Sequence, residues 1–295
     1  MSPPDRSAVE ASLAETDSPS RGLGDRSGEP AAAHRPAPGG SLLPREHGAY
    51  AAVAFPLITA LALGGPTAVQ LLWIVGCVAV FLAHEPLLII LGERGRRSRT
   101  ALGARARKAV RILAALAIAT GGLGWWVAPP AARVALILPL ALGALLLRLI
   151  LIHRERSLPG EVLASVTLSS VVVPIALAGG VSLRAATIAG AIWCAVSGLA
   201  TLTVRATIAR AKQATHHRRL SHQTIAFSAA ATLAAFLLTL AKLLPALAAA
   251  AILPVVLLAV TFSILHVHPR HLRTMGWSLV GSNVITLVAL LVGLR

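Results

Sequence analysis

A chain of 295 residues that is 56% hydrophobic and 13% charged falls well below the roughly 25% charged residues of soluble domains. That excludes an ordinary water-soluble domain and points to the bilayer. Its formal charge of +16 is clustered, and its two cysteines, Cys77 and Cys194, both lie in apolar runs, which excludes a disulfide framework or a cysteine zinc site.

Residues 1–44 are rich in Pro, Gly, Ser and Ala and hold six of the eleven acids, Asp5, Glu10, Glu15, Asp17, Asp25 and Glu29. Such a segment cannot bury enough apolar surface to offset its ordering entropy, so a disordered tail is expected. It lacks the apolar core of a signal peptide. Arg far outnumbers Lys, which with the high Ala and Gly content suggests a GC-rich bacterial genome.

From residue 45 the chain is a series of apolar runs near the length that crosses a ~30 Å hydrocarbon core. They fall at about 48–64, 69–91, 109–127, 132–152, 161–179, 185–204, 224–242, 246–265 and 275–294. Each must be helical, because lipid satisfies no free backbone N–H or C=O. The expectation is an all-α polytopic transmembrane bundle over 45–295 with about nine helices, in the bacterial inner membrane. Gly64-Gly65-Pro66 and Pro129-Pro130 mark turns between runs.

The basic residues orient it. Arg94, Arg96, Arg97, Arg99, Arg105, Arg107, Lys108 and Arg111 follow run two; Arg148, Arg154 and Arg156 follow run four; Arg205, Arg210, Lys212, Arg218 and Arg219 follow run six; Arg270 and Arg273 follow run eight. The other side has Arg133, Arg184, Lys242 and Arg295, a ratio of 18 to 4. By the positive-inside rule the even connections and the N-terminus are cytoplasmic.

Nine of ten histidines, and every acid after the tail, fall on that same side: His47, His84, His153, His216, His217, His222, His266, His268 and His271, with Glu46, Glu85, Glu93, Glu155 and Glu161. In Ala83-His84-Glu85-Pro86, Glu85 sits about 9 Å inside the helix end at 1.5 Å per residue. An intramembrane acid marks either a functional site or a helix-holding pair with His84 or an Arg. Arg45 and His47, where the tail meets the first helix, suit an anionic headgroup or act as interfacial anchors with Tyr50. His266, His268 and His271 flank Pro269 without a nearby carboxylate or Cys, so no tightly bound metal or other cofactor is expected. Glu161, after Pro159, reads as helix-start chemistry, and Glu155 as a surface partner of Arg148. The stretch Arg205–His222 is basic without aromatics, which argues against nucleic acid and for a membrane-surface face. Ser165, Thr167, Ser169 and Ser170 in run five are the main polar residues suited to a translocation path.

The pieces PREHGAY at 44–50, AHEPLL at 83–88 and HPRHLRTMGW at 268–277 resemble the YwiC-like family of bacterial membrane proteins. That resemblance implies a membrane-embedded fold and no particular activity. Nine helices with long basic cytoplasmic connections after helices two and six also look like the UbiA-type intramembrane prenyltransferases, whose two Asp-rich motifs hold magnesium and a prenyl diphosphate. The first motif would map to His84, Glu85, Glu93 and Arg97. The second would map to Arg205–Lys212, which has no acid, and two hard cations need several carboxylate oxygens. The departure falls on the residues that would do the chemistry, so a shared activity does not follow.

The expected site is therefore a cytoplasm-facing cavity lined by Arg45, His47, His84, Glu85, Arg97, Arg205, His268 and Arg273. There Arg and His would bind a phosphate-bearing anionic lipid or isoprenoid-type ligand, the partner beyond the membrane lipids themselves. A small-molecule transporter and an atypical prenyltransferase are the alternatives. The basic asymmetry predicts that a reporter fused at Gly39 is cytoplasmic and one after Arg295 is external. A C-terminal reporter active only in the cytoplasm would rule out this orientation.

Overall fold

The computed structural model describes residues 41–43, 47–215, 217–265 and 272–295, and only the backbone of residues 47 and 272. The expected disordered tail lies outside the described residues. Among those described there are eleven helices and no strand: α1 (His47–Gly64), α2 (Ala68–Leu91), α3 (Arg96–Val127), α4 (Pro130–Leu151), α5 (Leu158–Ser170), α6 (Val172–Ala178), α7 (Leu183–Ala211), α8 (His217–Leu240), α9 (Ala246–Ala250), α10 (Leu253–Ile264) and α11 (Leu272–Gly293). With α5–α6 and α9–α10 each counted as one interrupted span, eight stretches are long and apolar enough to cross a membrane, and α1 is a shorter ninth apolar helix. The chain is thus an all-α, multi-pass membrane bundle.

Both interruptions follow from proline. Pro174 and Pro254 have no N–H and their rings oppose the carbonyl four residues back, those of Ser170 and Ala250, which are the last residues of α5 and α9. A carbonyl freed in a bilayer needs a new donor. At the second break the Thr286 hydroxyl on α11 donates to the next carbonyl along, that of Ala251, at 2.7 Å.

The short α1 is a core element. Val53, Leu57 and Ala60 are buried, and α1 packs against α6, α11, α5 and α7. Trp193 on α7, fully buried, donates its indole N–H to the Thr59 hydroxyl at 2.9 Å, which donates to the Phe55 carbonyl at 2.8 Å. The turn into α2 is closed by a reciprocal cap. Thr67 accepts from the Gln70 N–H at 3.2 Å and Gln70 Oε1 accepts from the Thr67 N–H at 3.0 Å. The buried Gln70 amide then donates to the Ala60 carbonyl at 3.2 Å. Gly64 and Gly179 meet backbone to backbone here; a Cβ on Gly64 would lie 2.7 Å from the Gly179 carbonyl oxygen.

Two expectations about the basic segments change. Residues 96–108, expected as connection, form the first turns of α3, and the stretch 205–222 is the end of α7 and the start of α8 around a short turn. Hydropathy ends where charge begins, but Arg, Lys and Ala are good helix formers and no proline stands between Pro86 and Pro129. At 1.5 Å per residue the 32 residues of α3 exceed the ~20 that a bilayer needs. The outer helices α3 and α4 expose apolar side chains such as Ile118, Trp126, Val134 and Leu140, as lipid-facing helices do.

Thr286→Val removes the donor to the broken span and should lower stability by about 0.6–1.7 kcal/mol, the range for interhelical hydrogen bonds in a membrane, with Thr286→Ser close to wild type. Equilibrium unfolding in mixed micelles checks it; an unchanged Thr286→Val midpoint would contradict the assignment.

Candidate functional site

Helix α2 ends on Gly92, which adopts a left-handed conformation (φ 89°). The Gly92 N–H bonds to the Ile89 carbonyl at 3.2 Å and the Glu93 N–H to the Leu88 carbonyl at 3.0 Å, the paired pattern that closes a helix through a left-handed residue. The chain therefore doubles back, and Arg94 reaches the carboxylate of Glu85. Its Nε donates to Oε1 at 2.7 Å and its Nη2 to Oε2. Glu85 is 8% exposed, and its buried charge is matched by a bidentate guanidinium partner.

Helix α4 ends the same way on a residue that is not glycine. His153 has φ 57°; its N–H bonds to the Ile150 carbonyl at 3.0 Å, and the Arg154 N–H to the Leu149 carbonyl at 2.8 Å. This conformation is uncommon without glycine. It turns the imidazole toward the α2–α3 turn, where Nδ1 pairs with Glu93. Two residues on, a Glu155 carboxylate oxygen lies 3.2 Å from His84 Nε2, an ion-pair contact. Glu155 is therefore not the partner of Arg148. The helix has already ended at Leu151, so a spacing of seven no longer places the two on one face.

The α4–α5 loop closes against α7. Ser157 caps α5, accepting from the Gly160 N–H at 3.3 Å. Gly160 is required because an added Cβ would overlap the Glu155 carbonyl oxygen and lie 2.8 Å from that of Arg154. Glu161 then takes the guanidinium of Arg205, with Nη2 to Oε1 at 2.7 Å and Nε to Oε2, while Nη2 also donates to the Arg156 carbonyl. Glu161, set aside in the sequence as an ordinary helix start, is thus part of the network. No local signal could have paired it with a residue 44 positions away. Arg210, one turn beyond Arg205, donates to the Leu265 carbonyl at 2.9 Å, the Ser221 hydroxyl at 2.9 Å and the Ser263 carbonyl. It ties the ends of α7, α8 and α10.

Of the expected site residues, His84 pairs with Glu155 and Arg205 with Glu161 and the Arg156 carbonyl, so both hold the α4–α5 segment, while Glu85 is paired with Arg94 of the α2–α3 turn. Arg97 and Arg273 are exposed on the first turns of α3 and α11. Arg45, the His47 side chain and His268 lie outside the described residues, but the start of α1 adjoins the site, since the Tyr50 and Phe81 rings meet edge-to-face at 5.3 Å. Among the described residues each carboxylate, at Glu85, Glu93, Glu155 and Glu161, has an Arg or His partner. No group of three or more His, Cys, Asp or Glu side chains there could hold a metal ion; His266, His268 and His271 lie outside them. Two apolar hollows of about 470 and 360 Å³ sit elsewhere, one against α8 and α10 and one against α9 and α11.

Residues 43–177 match the family model described as YwiC-like protein, the family expected from the motifs. The matched stretch runs from just before α1 to the end of α6 and takes in the Glu85–Arg94 pair and both His–carboxylate pairs. No curated protein and no solved structure matches the chain.

Gly160→Ala should push α5 off the loop and lower stability by roughly 1–3 kcal/mol, as overpacking does. Thermal unfolding in nanodiscs measures it, and a wild-type midpoint would show that the loop does not sit where described.

Proposed function

We propose, for a chain whose residues 43–177 match the YwiC-like family, that it binds a phosphate-bearing anionic lipid or isoprenoid-type ligand at its cytoplasmic end. The observation that supports this is the charge left over after internal pairing. The described residues of that end carry seventeen Arg or Lys against four carboxylates, and all four carboxylates have intrachain partners. The surplus cation faces a boundary where anionic headgroups and phosphates gather. Exposed Arg97 and Arg273 would make first contact, Arg45, His47 and His268 would complete a rim, and His84, Glu85 and Arg205 would form its floor. Arg suits phosphate because its planar fork donates in pairs.

This reading differs from a magnesium-dependent prenyltransferase at the carboxylates. Glu85 and Glu93, which would have to hold the cation, are tied to Arg94 and His153. One observation favours a transporter instead: α5–α6 is interrupted beside buried Ser169, whose hydroxyl meets that of Ser197 at 2.6 Å, and broken spans recur at transporter sites.

Purified protein in phosphatidylcholine nanodiscs, with and without phosphatidylglycerol or geranylgeranyl diphosphate, tests the binding reading. Thermal stability should rise with the anionic additive, fall back in high salt as screening requires, and rise less in Arg97→Gln/Arg273→Gln. Equal stability with neutral and anionic lipid would refute it. Uptake of a solute by protein-loaded liposomes would favour the transporter.

A further inference from the structure

The α4–α5 loop is fastened differently at its two ends. Its C-terminal end is fixed by Arg205, which grips Glu161 and the Arg156 carbonyl. A guanidinium stays charged throughout the physiological range, so that end is indifferent to pH. Its N-terminal end is fixed by two imidazoles, His153 on Glu93 and His84 on Glu155. Imidazole is the side chain whose charge changes between pH 5 and 8, and a charge-assisted hydrogen bond is about twice as strong as a neutral one.

We propose that this loop is a hinged strap, anchored on α7 by Arg205 and latched onto α2 and the α2–α3 turn by His84 and His153, which loosens from its latch end as the pH rises. The sign follows from the pairing. Each imidazole faces a carboxylate, so the latch is strongest when the imidazoles are protonated and weakens as they lose their protons. The other charged groups at the ends that meet here are Glu85, Arg94, Arg96, Arg97, Arg99, Arg148, Arg154, Arg156, Glu161 and Arg205, with Arg105, Arg107, Lys108 and Arg111 further along α3, Arg133 at the far end of α4, and Arg184 and Arg210 elsewhere on α7. Among them Glu85 and Glu161 are already held by Arg94 and Arg205, and the arginines do not titrate. The two latch pairs are unequal. The His153 side chain is 67% exposed, so water screens its pair, whereas His84 is 33% exposed and faces a Glu155 that is 17% exposed. His84–Glu155 therefore carries most of the hold.

The strap is independent of the ligand reading, because it concerns contacts within the chain. It is tested by amide hydrogen exchange of the full-length protein in neutral-lipid nanodiscs at pH 5.5 and pH 8.0, with rates corrected for intrinsic exchange. The reporting amides are those of His153, Arg154 and Ser157, bonded to the Ile150, Leu149 and Arg154 carbonyls. Their protection should fall about tenfold on raising the pH, the size expected for weakening two partly exposed pairs. The Gly160 and Glu161 amides, on the anchored side, should keep theirs. His84→Gln/His153→Gln and, as a second route, Glu93→Gln/Glu155→Gln should give low protection of the latch amides at both pH values. Equal wild-type protection at the two pH values, an equal fall on the anchored side, or a pH-dependent fall that survives in the histidine variant would each overturn the proposal.

Discussion

A bilayer supplies neither hydrogen-bond donors to a bare carbonyl nor counter-charge to a bare carboxylate, so the chain must supply both. The structure is organised by that requirement. At the Pro254 break, a threonine from another helix reaches the backbone of the linking residue Ala251. Where a carboxylate stands near the polar end, a guanidinium or imidazole from a neighbouring element reaches it. The first helix, at the short end of the spanning range, packs among the others and is held through Thr59 and Trp193.

The polar end is accordingly built from helix endings. Gly92 turns the chain so that Arg94 returns to Glu85; His153 performs a similar turn on α4 and uses its own side chain as the fastening. Gly160 lets α5 start directly on the backbone of that loop. These three positions convert residues scattered from 84 to 205 into one connected set. The consequence is a face whose described acids are internally satisfied and whose described residues leave a positive surplus. Such a surplus attracts anions, and among the described residues no carboxylate is left unpaired for a pair of magnesium ions.

Much of this is written in the sequence. Apolar run length and the one-sided distribution of Arg gave the spans, because hydrocarbon thickness is a fixed ruler. His84 and Glu85 stood out because an acid inside a span is costly. What could not be read was partnership. Glu155 pairs across the bundle with His84 because α4 stops four residues earlier, and helical spacing past a helix end means nothing. Glu161 meets Arg205 only because α5 packs on α7. The helical starts of α3 and α8 were hidden for another reason: hydropathy registers lipid contact, whereas a helix continues into water on backbone propensity alone.

The pair on which this account most depends is Glu85–Arg94, the deepest described carboxylate and the turn residue that returns to it. A double-mutant cycle of Glu85→Gln and Arg94→Gln, followed by unfolding in a single lipid composition, isolates their coupling. A coupling of about 0.5–3 kcal/mol, the range for contacting charged residues, with the double variant more stable than the two single losses add up to, is the result the account predicts. Strict additivity would contradict it, leaving Glu85 buried without the partner that the fold of α2 and its turn is arranged to provide.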